Sequence, residues 1–94
     1  MKVVFTAPAL TDLDEILAYI AENYPQLIPA LETRIRMTIA RVREWPQSAR
    51  IFEERPGVRV VPLTRYPYRI FYRIHEDRIE ILHIHHSSRD LWKK

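Results

Sequence analysis

Residues 68–85 read YRIFYRIHEDRIEILHIH, and this stretch decides the fold. Apolar side chains recur at every second position at Tyr68, Ile70, Tyr72 and Ile74, and this period of two predicts a β-strand over residues 68–75, with the last strand at residues 79–85. The three residues 76–78 between them are few enough for a hairpin turn, so we expect the two strands to pair antiparallel.

The alternation gives the strand over residues 68–75 two different faces. Arg69 and Arg73 share one face with Phe71, and on a helix-covered face their guanidinium groups would be badly desolvated. We therefore expect this face to stay partly open and to carry the function. Neighbouring guanidinium groups favour an anionic ligand, either a phosphate backbone or the acidic side chains of a partner. The alternative is that Glu80 on the next strand pairs with one of them.

The remaining elements follow from the same patterns. Residues 2–6 and 58–61 predict two further strands, and residues 46–57 predict a loop. Apolar residues at helical spacing predict a helix that ends before Pro25 and a second helix from about Leu27 to Trp45. The stripe of the first helix consists of Leu10, Leu13, Leu17, Ile20 and Tyr24. The order is β-α-α-β-β-β, an α+β fold with an antiparallel sheet and a helical hairpin packed on one face.

Composition limits the class of protein. The 94 residues suffice for one domain, which we expect to span residues 1–94. A single glycine excludes glycine-rich phosphate-binding loops, and we expect no cofactor. The absence of cysteine, of a signal-peptide pattern and of an apolar run near ~20 residues predicts a cytoplasmic protein without a membrane partner. Of the 15 basic residues 12 are arginine, and the net charge of +3 suits RNA, DNA or an acidic protein partner.

The most unusual stretch is the histidine-rich end, ILHIHHSSRDLW, at residues 81–92. His83 and His85 share one face of the last strand, and His86 lies on the other. Two imidazoles two residues apart on a strand can chelate zinc, but no third ligand stands at a fixed spacing, so we predict no metal site. His86 is either a general acid–base or a structural ring hydrogen-bonded at the strand end.

Four stretches together resemble the RelE/ParE superfamily of toxins over nearly the whole chain. They are ALTDLDEI at residues 9–16, PGVR at residues 56–59, YPYRIFYRI at residues 66–74, and HHSSRD at residues 85–90. The resemblance implies the same β-α-α-β-β-β order and a cognate antitoxin that covers the working surface. It also implies one of two activities. RelE-like members cut mRNA at the ribosome, whereas ParE-like members bind and inhibit DNA gyrase.

The resemblance also assigns roles to residues. In the RNase branch, Arg69 and Arg89 match two arginines that stabilise the transition state, and His86 takes the place of a histidine that some relatives use. The lysines of the second strand and the tyrosine of the tail are missing here. We therefore favour a ParE-like toxin that binds gyrase through Arg59, Arg69, Arg73 and Arg89. The alternatives are a RelE-like mRNA endoribonuclease and a degenerate member that binds only its antitoxin.

Overall fold

A computed structural model describes residues 1–88 of the chain, in which two helices cover one side of a mixed sheet. The strands follow the order β1-β5-β4-β3-β2, with β1 parallel to β5 and the other neighbours antiparallel. The α+β class and the helical hairpin are confirmed. None of the helices in this part of the chain is long and apolar enough to cross a membrane. In chain order the elements are β1 (Lys2–Phe5), α1 (Ala7–Asn23), a 3₁₀ turn (Pro25–Leu27), α2 (Ile28–Glu44), β2 (Arg50–Ile51), β3 (Val58–Pro62), β4 (Tyr68–Ile74) and β5 (Arg78–His86).

Thr6 joins the end of β1 to the start of α1. Its Oγ1 accepts a hydrogen bond from the Ala9 N–H at 3.2 Å and so caps the helix, while Pro8 occupies the first turn, where no N–H is required. The same hydroxyl lies 2.9 Å from the carbonyl oxygen of Ile81, to which it donates. Parallel pairing with β5 therefore ends at the residue where the helix begins, and this fixes α1 against β5.

The apolar stripe of α1 is shorter than the sequence predicts. Ile20 is buried and Leu13 and Leu17 pack against the core, but Leu10 is 49% exposed and Tyr24 is 47% exposed. The fully buried residue in the first turn is Ala9, whose small side chain permits close approach to the sheet. Leu10 and Tyr24 belong to the predicted stripe but lie outside the core.

A β-bulge in β5 puts its apolar residues Ile81 and Ile84 on the face that the helices cover. Phe71 pairs with His83, whereas the next residue of β4, Tyr72, pairs with Ile81, so Leu82 is the extra residue. The insertion shifts the alternation by one position. As a result, Ile81 and Ile84 both face the helices although they are three residues apart.

The sheet face opposite the helices carries a small apolar cluster of its own. It contains Phe52, Val58, Val60 and Phe71, with Leu82 packed against it. Phe52 is brought there by β2, a two-residue strand that pairs with β3 inside the segment predicted to be a loop. The sheet therefore has five strands rather than four, and one of its faces is partly covered by a turn instead of by helices.

Candidate functional site

Arg69 and Arg73 lie with Phe71 on the sheet face opposite the helices, called here the arginine face. The residues between them, Ile70 and Tyr72, point into the main core. Four residues of strand separate the two Cα atoms by about 13 Å. Phe71 stands between the two arginines on this face of the strand.

Arg69 is held in place by its own strand. Its Cζ lies 5.2 Å from the centroid of the Phe71 ring, a cation–π arrangement. Its Nε is buried, and within residues 1–88 the guanidinium has no hydrogen bond or ion pair. Across the β4–β5 ladder it faces His85. This arginine therefore presents a positioned charge that no neighbour in the described part of the chain neutralises.

Arg73 is opposite Glu80 in the same ladder, so the alternative that Glu80 neutralises an arginine can be examined directly. The Glu80 Oε1 lies 2.9 Å from Nε2 of His75, which is its hydrogen-bond partner. Within residues 1–88 Arg73 has no ion pair. Gly57 adopts φ = 81° in the adjacent turn, which favours glycine, and its missing Cβ would lie 3.6 Å from Arg73 Nε.

Arg59 lies on the opposite side of the sheet from Arg69 and Arg73. One of its terminal nitrogens donates to the carbonyl oxygen of Ala49 at 2.8 Å and to that of Gln47 at 3.2 Å. The side chain thus holds the segment between α2 and β2. The structure does not bring Arg59 together with the other two arginines, and Arg89 lies outside the described residues.

His86 is also on the helix side, at the end of β5. Its ring packs edge-on against Tyr68 with centroids 5.6 Å apart. The backbone N–H of Ser88 donates to His86 Nδ1 at 3.1 Å, and the Ser88 Oγ lies 2.8 Å from the same atom. Because Nδ1 accepts, the ring hydrogen of the neutral imidazole is on Nε2. Arg69 and His86 therefore lie on opposite faces of the sheet.

An apolar groove between α1 and the ends of β4 and β5 was not anticipated from the sequence. It encloses about 490 Å³, and its exposed wall is aromatic and aliphatic. Periodicity places Tyr24 in the apolar stripe of the first helix, and the structure places it in the wall of this groove. Its lining includes Tyr19, Tyr24, Leu27, Tyr66, Tyr68 and Ile84, together with the polar side chains of Asp12, Glu15 and His86.

Asp12 is a second feature that sequence reasoning missed. β5 runs on beyond its last pairing with β1, which leaves the N–H of Ile84 at an open edge. The Asp12 Oδ2 accepts this N–H at 3.0 Å and also lies 2.9 Å from Nδ1 of His83. Asp12 and His83 are 71 residues apart, so no local spacing pattern predicts the contact.

Comparison with known proteins agrees with this architecture. The profile described as "ParE toxin of type II toxin-antitoxin system, parDE" matches residues 3–91. "Putative toxin Y4kP" of Sinorhizobium fredii (strain NBRC 101917 / NGR234) is 36% identical over 90 residues, covering 92% of this chain and 88% of the relative. A solved chain of the "Chromosomal ParDE TA system from P. aeruginosa" has a TM-score of 0.80 at 27% identity, covering 92% of this chain and 95% of that one.

The fold and these matches define a toxin of a type II toxin–antitoxin system, a class in which the toxin has an antitoxin partner. Within that class the chain belongs to the ParE toxin family.

Proposed function

We propose that this ParE-family toxin inhibits DNA gyrase by binding it, and that the arginine face is the contact surface. The observation that carries the proposal is the fixed guanidinium of Arg69 over Phe71, with no ion pair within residues 1–88. Arginine and aromatic side chains beside a small apolar cluster are typical of the central residues of protein interfaces. Gyrase is inferred as the target from the family.

The competing proposal is ribosome-dependent mRNA cleavage. It requires a cation and an acid–base group at the same phosphate, because fixed charges stabilise the transition state only where charge develops. Arg69 and His86 are on opposite faces of the sheet, and His86 Nδ1 is already bonded to Ser88. This separation supports binding over cleavage.

The antitoxin is proposed to cover both the arginine face and the apolar groove. Acidic side chains of the antitoxin would neutralise Arg69 and Arg73, and an apolar segment would fill the groove beside Tyr19. Such an arrangement neutralises the toxin because it occupies the surface that the target needs.

Two assays with the purified toxin separate the functions. In a gyrase supercoiling assay we expect inhibition by the wild-type toxin. In a purified translation mixture with end-labelled mRNA we expect no cleavage at the ribosomal A site. Cleavage that disappears in both the Arg69→Ala and the His86→Gln variants, without any effect on supercoiling, would instead establish the endoribonuclease.

A further inference from the structure

Three side chains from two distant parts of the chain converge at the open edge of β5. The donor atoms of Asp12, His83 and His85 all lie within 4.8 Å of one another. The Asp12 Oδ2 is 2.9 Å from His83 Nδ1 and 3.4 Å from His85 Nε2. We infer that these residues form a binding site for a divalent transition metal ion of the zinc type.

The spacing of the three donor atoms is near the ligand spacing around such an ion. Zinc binds imidazole nitrogen and carboxylate oxygen at about 2.0–2.2 Å in tetrahedral geometry, which puts neighbouring ligand atoms roughly 3.3–3.5 Å apart. The Asp12 Oδ2 distances of 2.9 Å to His83 and 3.4 Å to His85 lie just below and within that range, and all three donor atoms lie within 4.8 Å of one another. Adjustment of the side-chain tips therefore brings the three atoms to the ligand spacing of the ion.

The fold also holds the donors ready. His83 and His85 alternate onto the same face of β5, and their ring centroids are 4.4 Å apart. The side chain of His85 is 2% exposed and that of Asp12 is 16% exposed, so both donors are largely desolvated, whereas His83 is 31% exposed and leaves a path for the ion. Asp12 is oriented independently by the N–H of Ile84. Donor atoms that are already positioned lose little conformational entropy when the ion binds.

The donor set selects the class of metal. Two imidazoles and one carboxylate suit zinc and its first-row neighbours, whereas calcium and magnesium prefer oxygen ligands alone. Coordination by His83 Nδ1 requires the tautomer with its hydrogen on Nε2, and the ion then replaces the hydrogen bond to Asp12. The bound ion would link α1 to β5. Its charge would lie at His85, which pairs with Arg69 across the β4–β5 ladder.

Binding is tested on the full chain without a polyhistidine tag. Cobalt is titrated into the metal-free protein and its visible ligand-field absorption is recorded, and zinc is titrated calorimetrically. We expect one equivalent to bind, with affinity reduced at least about tenfold in Asp12→Asn, His83→Gln and His85→Gln, since even the partners of metal ligands contribute that much. The matched controls, His75→Gln and His86→Gln, each remove a histidine outside the cluster and should bind as the wild type does.

X-ray absorption of the wild-type zinc complex provides a readout that does not depend on any variant folding. A first shell of two imidazole nitrogens with oxygen ligands supports the site. Absence of binding by the wild-type protein contradicts the inference, and so do equal losses of affinity in the control and cluster variants, which would indicate only scattered binding to surface histidines.

Discussion

Arg69 and His85 are direct cross-strand neighbours on β4 and β5, on the face of the sheet that the helices leave free. Above them, Phe71 contacts both residues, with Arg69 Cζ 5.2 Å and the His85 ring 5.6 Å from its ring centroid. Aromatic contact on this face thus fixes an arginine that has no ion pair within residues 1–88.

Replacement of Asp12 should destabilise the toxin in the presence of a chelator, where no metal contributes. Asp12→Ala leaves the part-buried N–H of Ile84 at the open edge of β5 without its acceptor, and we expect a loss of about 1–3 kcal/mol in the free energy of unfolding. Asp12→Asn retains an acceptor oxygen and should lose less. Urea denaturation measures both. Asp14→Ala, which removes an exposed carboxylate of the same helix, is the control, and equal losses in the two alanine variants would contradict the account.

Tyr72 should make the fold sensitive to alkaline pH. Its hydroxyl donates to the carbonyl oxygen of Pro46 at 2.6 Å, and burial raises its pKa above the ordinary 10.0, with Arg59 opposing the shift. Above pH 10.0 the unfolded chain releases this proton while the folded chain retains it, so the free energy of unfolding falls as pH rises.

The Tyr72→Phe variant separates the contribution of the hydrogen bond to Pro46 from the pH dependence caused by the raised pKa of Tyr72. It should lose about 0.5–1.5 kcal/mol near neutral pH through the missing hydrogen bond, and it should show a shallower decline of stability above pH 10.0. Burial also raises the pKa of Tyr68, so part of the decline remains in the variant. Denaturation curves at several alkaline pH values give the slopes, and identical slopes in variant and wild type would rule out the role given to Tyr72.

Arg73→Ala should slow association with the antitoxin and make it less sensitive to salt, because the arginine face attracts acidic groups over a distance. Arg36→Ala removes the same charge from an exposed position on α2 and should leave both quantities close to wild type. Stopped-flow association rates at a series of salt concentrations provide the comparison. Equal salt dependence in the two variants would mean that the antitoxin does not use this face.

Tyr19→Ala should weaken antitoxin binding without harming the fold. The ring is exposed in the wall of the groove, so we expect a change in unfolding free energy within about 0.5 kcal/mol. Tyrosines at interface centres commonly contribute more than about 1 kcal/mol, which corresponds to roughly a fivefold or greater loss of affinity. Met37→Ala removes an exposed apolar side chain outside the groove and is the calorimetric control. An unchanged affinity in Tyr19→Ala would place the antitoxin elsewhere.

The parts of the fold that the sequence predicts are those governed by local periodicity. The alternation around Arg69 and Phe71 correctly separates the two faces of β4. Pro25 correctly marks the end of α1. The two-residue strand β2 has too little sequence to show a period. The bulge at Leu82 depends on the pairing of β5 with β4, and this pairing is a tertiary property.

The site was less predictable because its geometry depends on distant segments. Asp12 reaches His83 only because α1 crosses the unpaired edge of β5, and a pattern of residues along the chain carries no information about that crossing. From the sequence, Arg59 is grouped with Arg69 and Arg73 because all three are arginines on predicted strands. Its position in β3 instead directs its side chain to the carbonyl oxygen of Ala49 in the loop. Register between strands, rather than residue type, decides which charges share a surface.

The central claim, that the arginine face binds gyrase, is tested most directly by the affinity of purified toxin for gyrase, measured for the wild type, Arg69→Ala and Arg36→Ala. We expect Arg69→Ala to bind at least about tenfold more weakly, which corresponds to roughly 1.4 kcal/mol, and Arg36→Ala to bind like the wild type. Equal affinity of all three proteins for gyrase, or no binding by the wild type, would contradict the claim.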